Sequence, residues 1–93
     1  MQHPFFSIII PCYNARAYIA RTLDTFERQT FRNFEVICID DCSTDDTYTY
    51  LLKRAEESTV TIQVYKNESN KGPGQSRNVA IAYAKGEYVA FCD

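Results

Sequence analysis

Val36-Ile37-Cys38-Ile39-Asp40-Asp41-Cys42-Ser43-Thr44-Asp45-Asp46 joins an apolar run to a cluster of acids and hydroxyls. Four apolar residues in succession, β-branched at Val36, Ile37 and Ile39, read as a strand covered on both faces. Two adjacent carboxylates at its end are electrostatically costly beside an apolar core unless something holds them or binds them. In an open parallel sheet, ligands settle outside the carboxyl ends of the strands. Asp40 and Asp41 are therefore the first candidates for function. One is expected to hold its own loop, as Asx turns do. Asp41, further past the strand, is the better ligand candidate.

The elements around this stretch alternate. Phe5 to Ile10 reads as a first strand ended by Pro11, which cannot donate to a ladder. Pro11 to Asn14 is a short loop. A helix is expected from about Arg16 to Gln29, with Tyr18, Ile19, Thr22, Leu23 and Phe26 on one face. The second strand is Phe34 to Ile39. Ser43 or Thr44 is expected to cap a helix reaching about Glu57, with Asp45 and Asp46 near its positive end. That helix would bury Tyr48, Leu51, Leu52 and Ala55. Val60 to Tyr65 alternates apolar and polar residues, as an edge strand does. A polar loop from Asn67 to Gly74 leads to an alanine-rich helix over about Gln75 to Ala84, and Gly86 fits a left-handed cap. Tyr88 to Phe91 is the fourth strand.

The order βαβαβαβ with short connections implies an α/β fold: a parallel sheet of about four strands with right-handed crossovers. The expected strand order is 3-2-1-4, the first half of a doubly wound, Rossmann-like arrangement. The first two helices would share one face and the third would take the other. The reversal between strands 1 and 4 is the switch point. Pro11 to Asn14, Asp40 to Ser43, and Cys92-Asp93 converge there. Strand 4 is apolar enough for an interior position yet would be the edge, which implies a piece of a longer chain or self-association through that edge.

Composition narrows the function classes. The chain has 93 residues, which bounds it to one small domain or part of a larger one. A hydrophobic fraction of 45% supports a packed core. The net charge of −2, with dispersed Lys and Arg, gives no nucleic-acid surface. No apolar run approaches the ~18 residues that a membrane span needs. Cys12, Cys38, Cys42 and Cys92 form no C-x-x-C pair and the only histidine is His3, so no zinc site is indicated. Small buried thiols in a reduced, cytoplasmic protein are expected.

Gly72-x-Gly74-x-x-Arg77 nearly matches a dinucleotide fingerprint, but Arg77 replaces the third glycine and the loop follows strand 3 rather than strand 1. Three readings stay open: a pyrophosphate-cradling loop, glycines that let the chain turn into a helix, or a loop that contacts a ligand in another way. Arg77, in the first turn of that helix, is a solvated cation, a binder of phosphate or base, or a partner of the acid cluster. Tyr13 either stacks on a ring or closes the core.

Taken together, Ser7-Ile8-Ile9-Ile10-Pro11-Cys12-Tyr13-Asn14, Gln29-Thr30-Phe31, Asn33-Phe34-Glu35, Asp40-Asp41-Cys42-Ser43-Thr44-Asp45, Asn70-Lys71-Gly72, Arg77-Asn78 and Lys85-Gly86-Glu87-Tyr88 resemble the family-2 glycosyltransferases of GT-A fold. The resemblance covers the chain after His3. It implies that residues 1–93 are the N-terminal, nucleotide-diphospho-sugar-binding portion of such a domain. The parent would transfer a sugar, from a UDP-sugar, with inversion to an acceptor hydroxyl on a glycan or lipid-linked acceptor, in polysaccharide or glycoconjugate synthesis.

The resemblance also implies residue roles. Pro11, Tyr13 and Asn14 would lie beside the nucleotide, Asp41 would accept a base N–H, commonly that of uracil, and Arg77 would lie near base and pyrophosphate. Asp93 matches the first Asp of the family's Asp-x-Asp motif, whose later acid binds Mg²⁺ or Mn²⁺ to neutralise the leaving diphosphate. The second Asp and the general base of the acceptor half lie outside these residues, so the fragment is expected to bind nucleotide weakly and not to catalyse. Cys42 stands where the family usually has glycine. The alternatives are a non-catalytic nucleotide-sugar-binding or assembly module, and a receiver-like signalling domain, which would need a lysine after a fifth strand.

Overall fold

The computed structural model describes residues 4–92. Its elements are β1 (Phe6–Cys12), α1 (Ile19–Glu27), β2 (Phe34–Asp40), α2 (Thr47–Glu57), β3 (Thr61–Lys66), α3 (Pro73–Tyr83) and β4 (Tyr88–Phe91). The strands form one sheet in the order β3-β2-β1-β4, all neighbours parallel. Ile9 lies opposite Ile37 on one side and Phe91 on the other. This is the expected topology.

The sheet is covered on both faces, as its apolar runs require. Every residue of β2 is buried. Ile10, Cys12, Val36 and Cys38 pack under Ile19 and Leu23 of α1 and Leu51 of α2. Ile9, Ile37 and Ile39 pack under Ala80 of α3. Each fully buried isoleucine or leucine contributes about 1.5–3 kcal/mol of transfer free energy. Ala80 is fully buried, and its short side chain brings α3 close to the sheet.

Several expectations change in physical detail. Pro11 lies inside β1, not after it, opposite Ile39. In a parallel strand, successive residues direct their backbone groups to alternate neighbours. Ile9 O accepts Cys92 N on the β4 side and Cys12 O accepts Asp41 N on the β2 side. Pro11 shares the β4 side with Ile9, and among the described residues the β1–β4 pairing ends at Ile9, consistent with a residue that has no N–H to continue the ladder.

Helix α1 starts at Ile19, three residues later than expected; Arg16 to Tyr18 form a turn, and Tyr18 is 52% exposed. Leu52 is exposed rather than buried, because Thr47 and Leu51 take the inner face of α2. Neither Ser43 nor Thr44 caps α2. The Asp45 carboxylate accepts the Thr47 N–H at 3.0 Å instead, while Ser43 and Thr44 bond other loop residues. Helix α3 starts at Pro73, whose lost N–H is unneeded in the first turn.

Gly86 does not adopt the left-handed cap; among the described glycines only Gly72 has positive φ, +85°. Gly86 is required for close approach, since a Cβ there would lie 2.6 Å from Ser7 N. Its N–H donates to Ser7 Oγ at 2.8 Å, and Ser7 donates to the buried Glu35 carboxylate at 2.6 Å. Glu35 also accepts from Gln63 Nε2 and Lys85 N, so one acid ties all four strands' neighbourhoods at the amino end of the sheet.

Residues Tyr88 to Phe91 are exposed, and β4 pairs only with β1 among the described residues. No helix among these residues is long and apolar enough to cross a membrane.

Candidate functional site

The carboxyl ends of β1 and β2 carry Cys12 and Asp40 to one rim, and the first turn of α3 rises beside them. A cavity of about 360 Å³ opens there, lined by Pro11, Cys12, Tyr13, Tyr18, Asp41, Pro73 and Arg77. It lies at the carboxyl ends of the strands, where order reverses between β1 and β4.

The two acids divide their tasks. Asp40 is fully buried and turned onto its own loop: Oδ1 accepts Ser43 Oγ at 2.6 Å and Oδ2 accepts Ser43 N at 3.1 Å. Asp41 lines the cavity yet is only 3% exposed. Its Oδ1 accepts Asn67 Nδ2 at 3.0 Å and Lys71 N at 2.8 Å, and Oδ2 accepts Gly72 N at 2.9 Å. Burial pushes the Asp41 carboxyl up, but the Lys71 N–H, the Asn67 amide, the Gly72 N–H and the Ser76 hydroxyl outweigh it, and the net shift is downward. Asp41 is thus a carboxylate at neutral pH, held by the loop that follows β3. Asn67, Lys71 and Gly72 donate to three of its roughly four acceptor positions, and the buried Ser76 hydroxyl stands close enough to favour the carboxylate as well.

The other expected site residues fall in different places. Pro11 and Tyr13 line the cavity, and Tyr13 is 48% exposed, so it does not close the core. Arg77 forms the opposite wall, its guanidinium carbon 5.8 Å from the Phe91 ring centroid, within cation–π range. Asn14 is not among the lining residues. It has φ 48°, its Oδ1 accepts Thr44 N at 2.8 Å and Asp45 N at 3.2 Å, and its own N–H donates to Ser43 Oγ. It clasps the loop after β1 to the acidic loop. Asp93, with the metal and nucleotide roles expected of it, lies outside the described residues.

Cys12, inside the Pro11-to-Asn14 stretch expected at this rim, lines the cavity, as do Tyr18 and Pro73, to which sequence patterns assigned no site role. Tyr18 was hidden because helical spacing placed it on the inner face of α1, whereas the helix begins one residue later. Its phenol is raised above its ordinary value by burial, then by Cys12 and Asp45, and stays neutral. Asn67 and Ser76 were also missed, although Asn67 is the first polar residue past β3 and reaches the same rim as Asp41 does from β2.

The cysteines are thiols. The Cys12 thiol, hydrogen-bonded to Cys38, and then burial hold Cys38 well above the usual thiol range, as an inert core residue. The fingerprint-like glycines resolve into a turn: Gly72 supplies the left-handed residue before α3 and Gly74 lies within that helix. No three His, Cys, Asp or Glu side chains among the described residues converge to hold a metal ion.

The profile described as "Glycosyl transferase family 2" matches residues 7–93. The chain belongs to this family. It is similar, at 42% identity over 91 residues, to the poly(ribitol-phosphate) beta-N-acetylglucosaminyltransferase TarS of Staphylococcus aureus, covering 95% of this chain and 16% of that protein. It is 42% identical over 90 residues to the putative teichuronic acid biosynthesis glycosyltransferase TuaG of Bacillus subtilis, covering 97% of this chain and 35% of that one. A family-2 member solved with UDP, TarS residues 1-349, superposes with a TM-score of 0.86 at 42% identity, covering 95% of this chain and 26% of that one. The mannosyltransferase PcManGT of Pyrobaculum calidifontis, solved with GDP-Man and Mn²⁺, superposes at 0.84 with 28% identity, covering 96% and 27%. The chain thus spans well under half the length of these relatives. Its Rossmann-like sheet is the corresponding part of the GT-A fold.

Proposed function

We propose that residues 1–93 are the N-terminal, donor-nucleotide portion of a family-2 GT-A glycosyltransferase domain. The parent transfers a sugar from a nucleotide-diphospho-sugar, a UDP-sugar, to an acceptor hydroxyl with inversion, on a glycan or lipid-linked acceptor in polysaccharide or glycoconjugate synthesis. The observation that carries this reading is the rim cavity, with an ionised Asp41 on one wall and Arg77 on the other. Supporting it, the related TarS domain has been solved with UDP and with UDP-GlcNAc.

The proposed nucleotide-binding set is Pro11, Tyr13, Asn14, Asp41, Arg77 and Asp93. The remaining acceptor position of Asp41 takes a base N–H, a charge-assisted hydrogen bond worth about 1.5–3 kcal/mol. Tyr13 offers a ring to stack against the base. Arg77 offsets pyrophosphate charge, a task for which its forked donors suit it. Asn14 contributes through the loop that it clasps. A divalent cation, Mg²⁺ or Mn²⁺, neutralises the leaving diphosphate in the parent; the described residues do not themselves form its site, and Asp93 is proposed as a ligand.

No group of these residues is assigned as catalytic base. The chain alone is proposed to bind nucleotide weakly and not to catalyse, to work in the cytoplasm, and to be able to associate through the exposed β4 edge.

The test is a ¹H–¹⁵N NMR titration of the chain with UDP, then GDP, with and without Mg²⁺, repeated on Asp41→Ala. Peaks of Tyr13, Asp41 and Arg77 should move with UDP in the wild type and stay still in the variant. Well-dispersed peaks that ignore every nucleotide would sink the reading.

A further inference from the structure

The geometry points to Asn67 as the positioning residue of the base-recognising carboxylate, with Ser76 as its support. The inference rests on the nucleotide reading above and adds two residues to it that lie outside the cavity wall.

Asn67 is 6% exposed and is fixed at both ends. Its backbone N–H donates to Asp40 O at 2.8 Å, which pins it to the end of β2. Its side-chain amide nitrogen then donates to Asp41 Oδ1 at 3.0 Å and to Ser76 Oγ at 3.0 Å. An amide NH₂ has two hydrogens, and both are used. Ser76 is fully buried on the sheet side of α3, one residue before Arg77. The amide thus spans from the Asp41 wall of the cavity to the helix that carries the Arg77 wall.

A carboxylate turns about its last side-chain torsion, which is broad and roughly two-fold. Lys71 N also reaches Oδ1 and Gly72 N reaches Oδ2, but both belong to a loop whose tip, from Glu68 to Lys71, is exposed. Asn67, with the buried Ser76 hydroxyl behind it, is the buried side-chain donor to the carboxylate, and that hydroxyl also favours the charged form. Asn67 fixes the carboxylate plane and so fixes where the remaining acceptor position of Asp41 points. A carboxylate left to rotate would still be an anion at the rim, yet it would no longer offer that position in one direction. Positioning of this kind acts on a single ligand atom, the base N–H, and not on the ligand as a whole.

That difference sets the test. The dissociation constants of UDP and of 3-methyluridine diphosphate, in which a methyl group replaces the N3 hydrogen, are measured by NMR titration for the wild type, Asn67→Leu and Ser76→Ala. The wild type should prefer UDP by about 10-fold or more, the worth of one hydrogen bond to a charged acceptor. Asn67→Leu keeps the size of the side chain and removes its donors, and the preference should fall to about 2-fold or less. Ser76→Ala, which removes one hydroxyl, should lower it in the same direction, and it carries the test if Asn67→Leu does not fold. Weakening of both nucleotides by one common factor, with the preference intact, would show a purely structural role and overturn the inference while leaving the nucleotide site standing. A wild type without a preference overturns it too. A wild type that binds neither nucleotide overturns the nucleotide reading and this inference together.

Discussion

The Asn14 side-chain oxygen accepts the backbone N–H of Thr44 at 2.8 Å, which ties the loop after β1 to the acidic loop after β2. The Asp45 N–H and Thr44 hydroxyl add to the same oxygen at 3.2 Å. Asn14 also holds φ 48°, a region where asparagine is tolerated better than most residues. Asn14→Ala loses both advantages and should destabilise the chain by about 1–3 kcal/mol. Asn14→Gly keeps the backbone freedom and should cost less. Urea unfolding midpoints of the two variants check the order.

Cys42 carries the other positive φ among the described non-glycine residues, 61°. Its thiol makes only a long contact of 3.6 Å with Glu68 O. Cys42→Gly should therefore stabilise the chain by about 0.5–1 kcal/mol, the relief of left-handed strain outweighing the added freedom of the unfolded glycine. A rise of a few degrees in Tm by differential scanning calorimetry is the expected readout.

Asp41 has a folded-state pKa below its ordinary value, so its hydrogen bonds contribute stability above the unfolded value of about 3.9. That contribution is lost as pH falls through the lower, folded value. Asp41→Asn turns an amide toward N–H donors and should cost about 1–3 kcal/mol at pH 7. The gap between wild type and variant should narrow steadily below about pH 4. Urea unfolding across pH 7 to 2 measures it; a gap that widens toward acid would contradict the sign.

Gly86 abuts the backbone of Ser7, and a Cβ would meet three atoms under 3.0 Å, two of them backbone. Gly86→Ala should separate β4 from β1 at its start and weaken the Ser7–Gly86 bond, for a loss of about 2–3 kcal/mol. Faster amide exchange at Tyr88 and Val89, with β2 amides unchanged, would place the damage at that strand pair.

The βαβαβαβ order, the parallel sheet in order 3-2-1-4 and the division of helices between faces followed from the sequence by itself. Those are carried by local patterns: the apolar runs of Ile8 to Ile10 and Val36 to Ile39, the helical spacing of Ile19, Leu23 and Leu51, and the handedness of short crossovers. The family was also legible, through ordered short motifs from Ser7 to Tyr88. Tertiary structure decided what contact chemistry decides. It brought Asn67, Lys71 and Gly72 onto Asp41 from 26 to 31 positions away, whereas the turn of Asp40 onto Ser43, three residues on, is the local loop-holding role the sequence already offered. It moved Tyr18 from a helix face to a cavity wall, because α1 begins after Tyr18 and helical spacing therefore does not set its direction. It gave Gly86 to steric approach instead of a left-handed cap. Periodicity registers which side of an element is apolar; it carries no record of which donor from a distant loop will fill a given carboxylate oxygen.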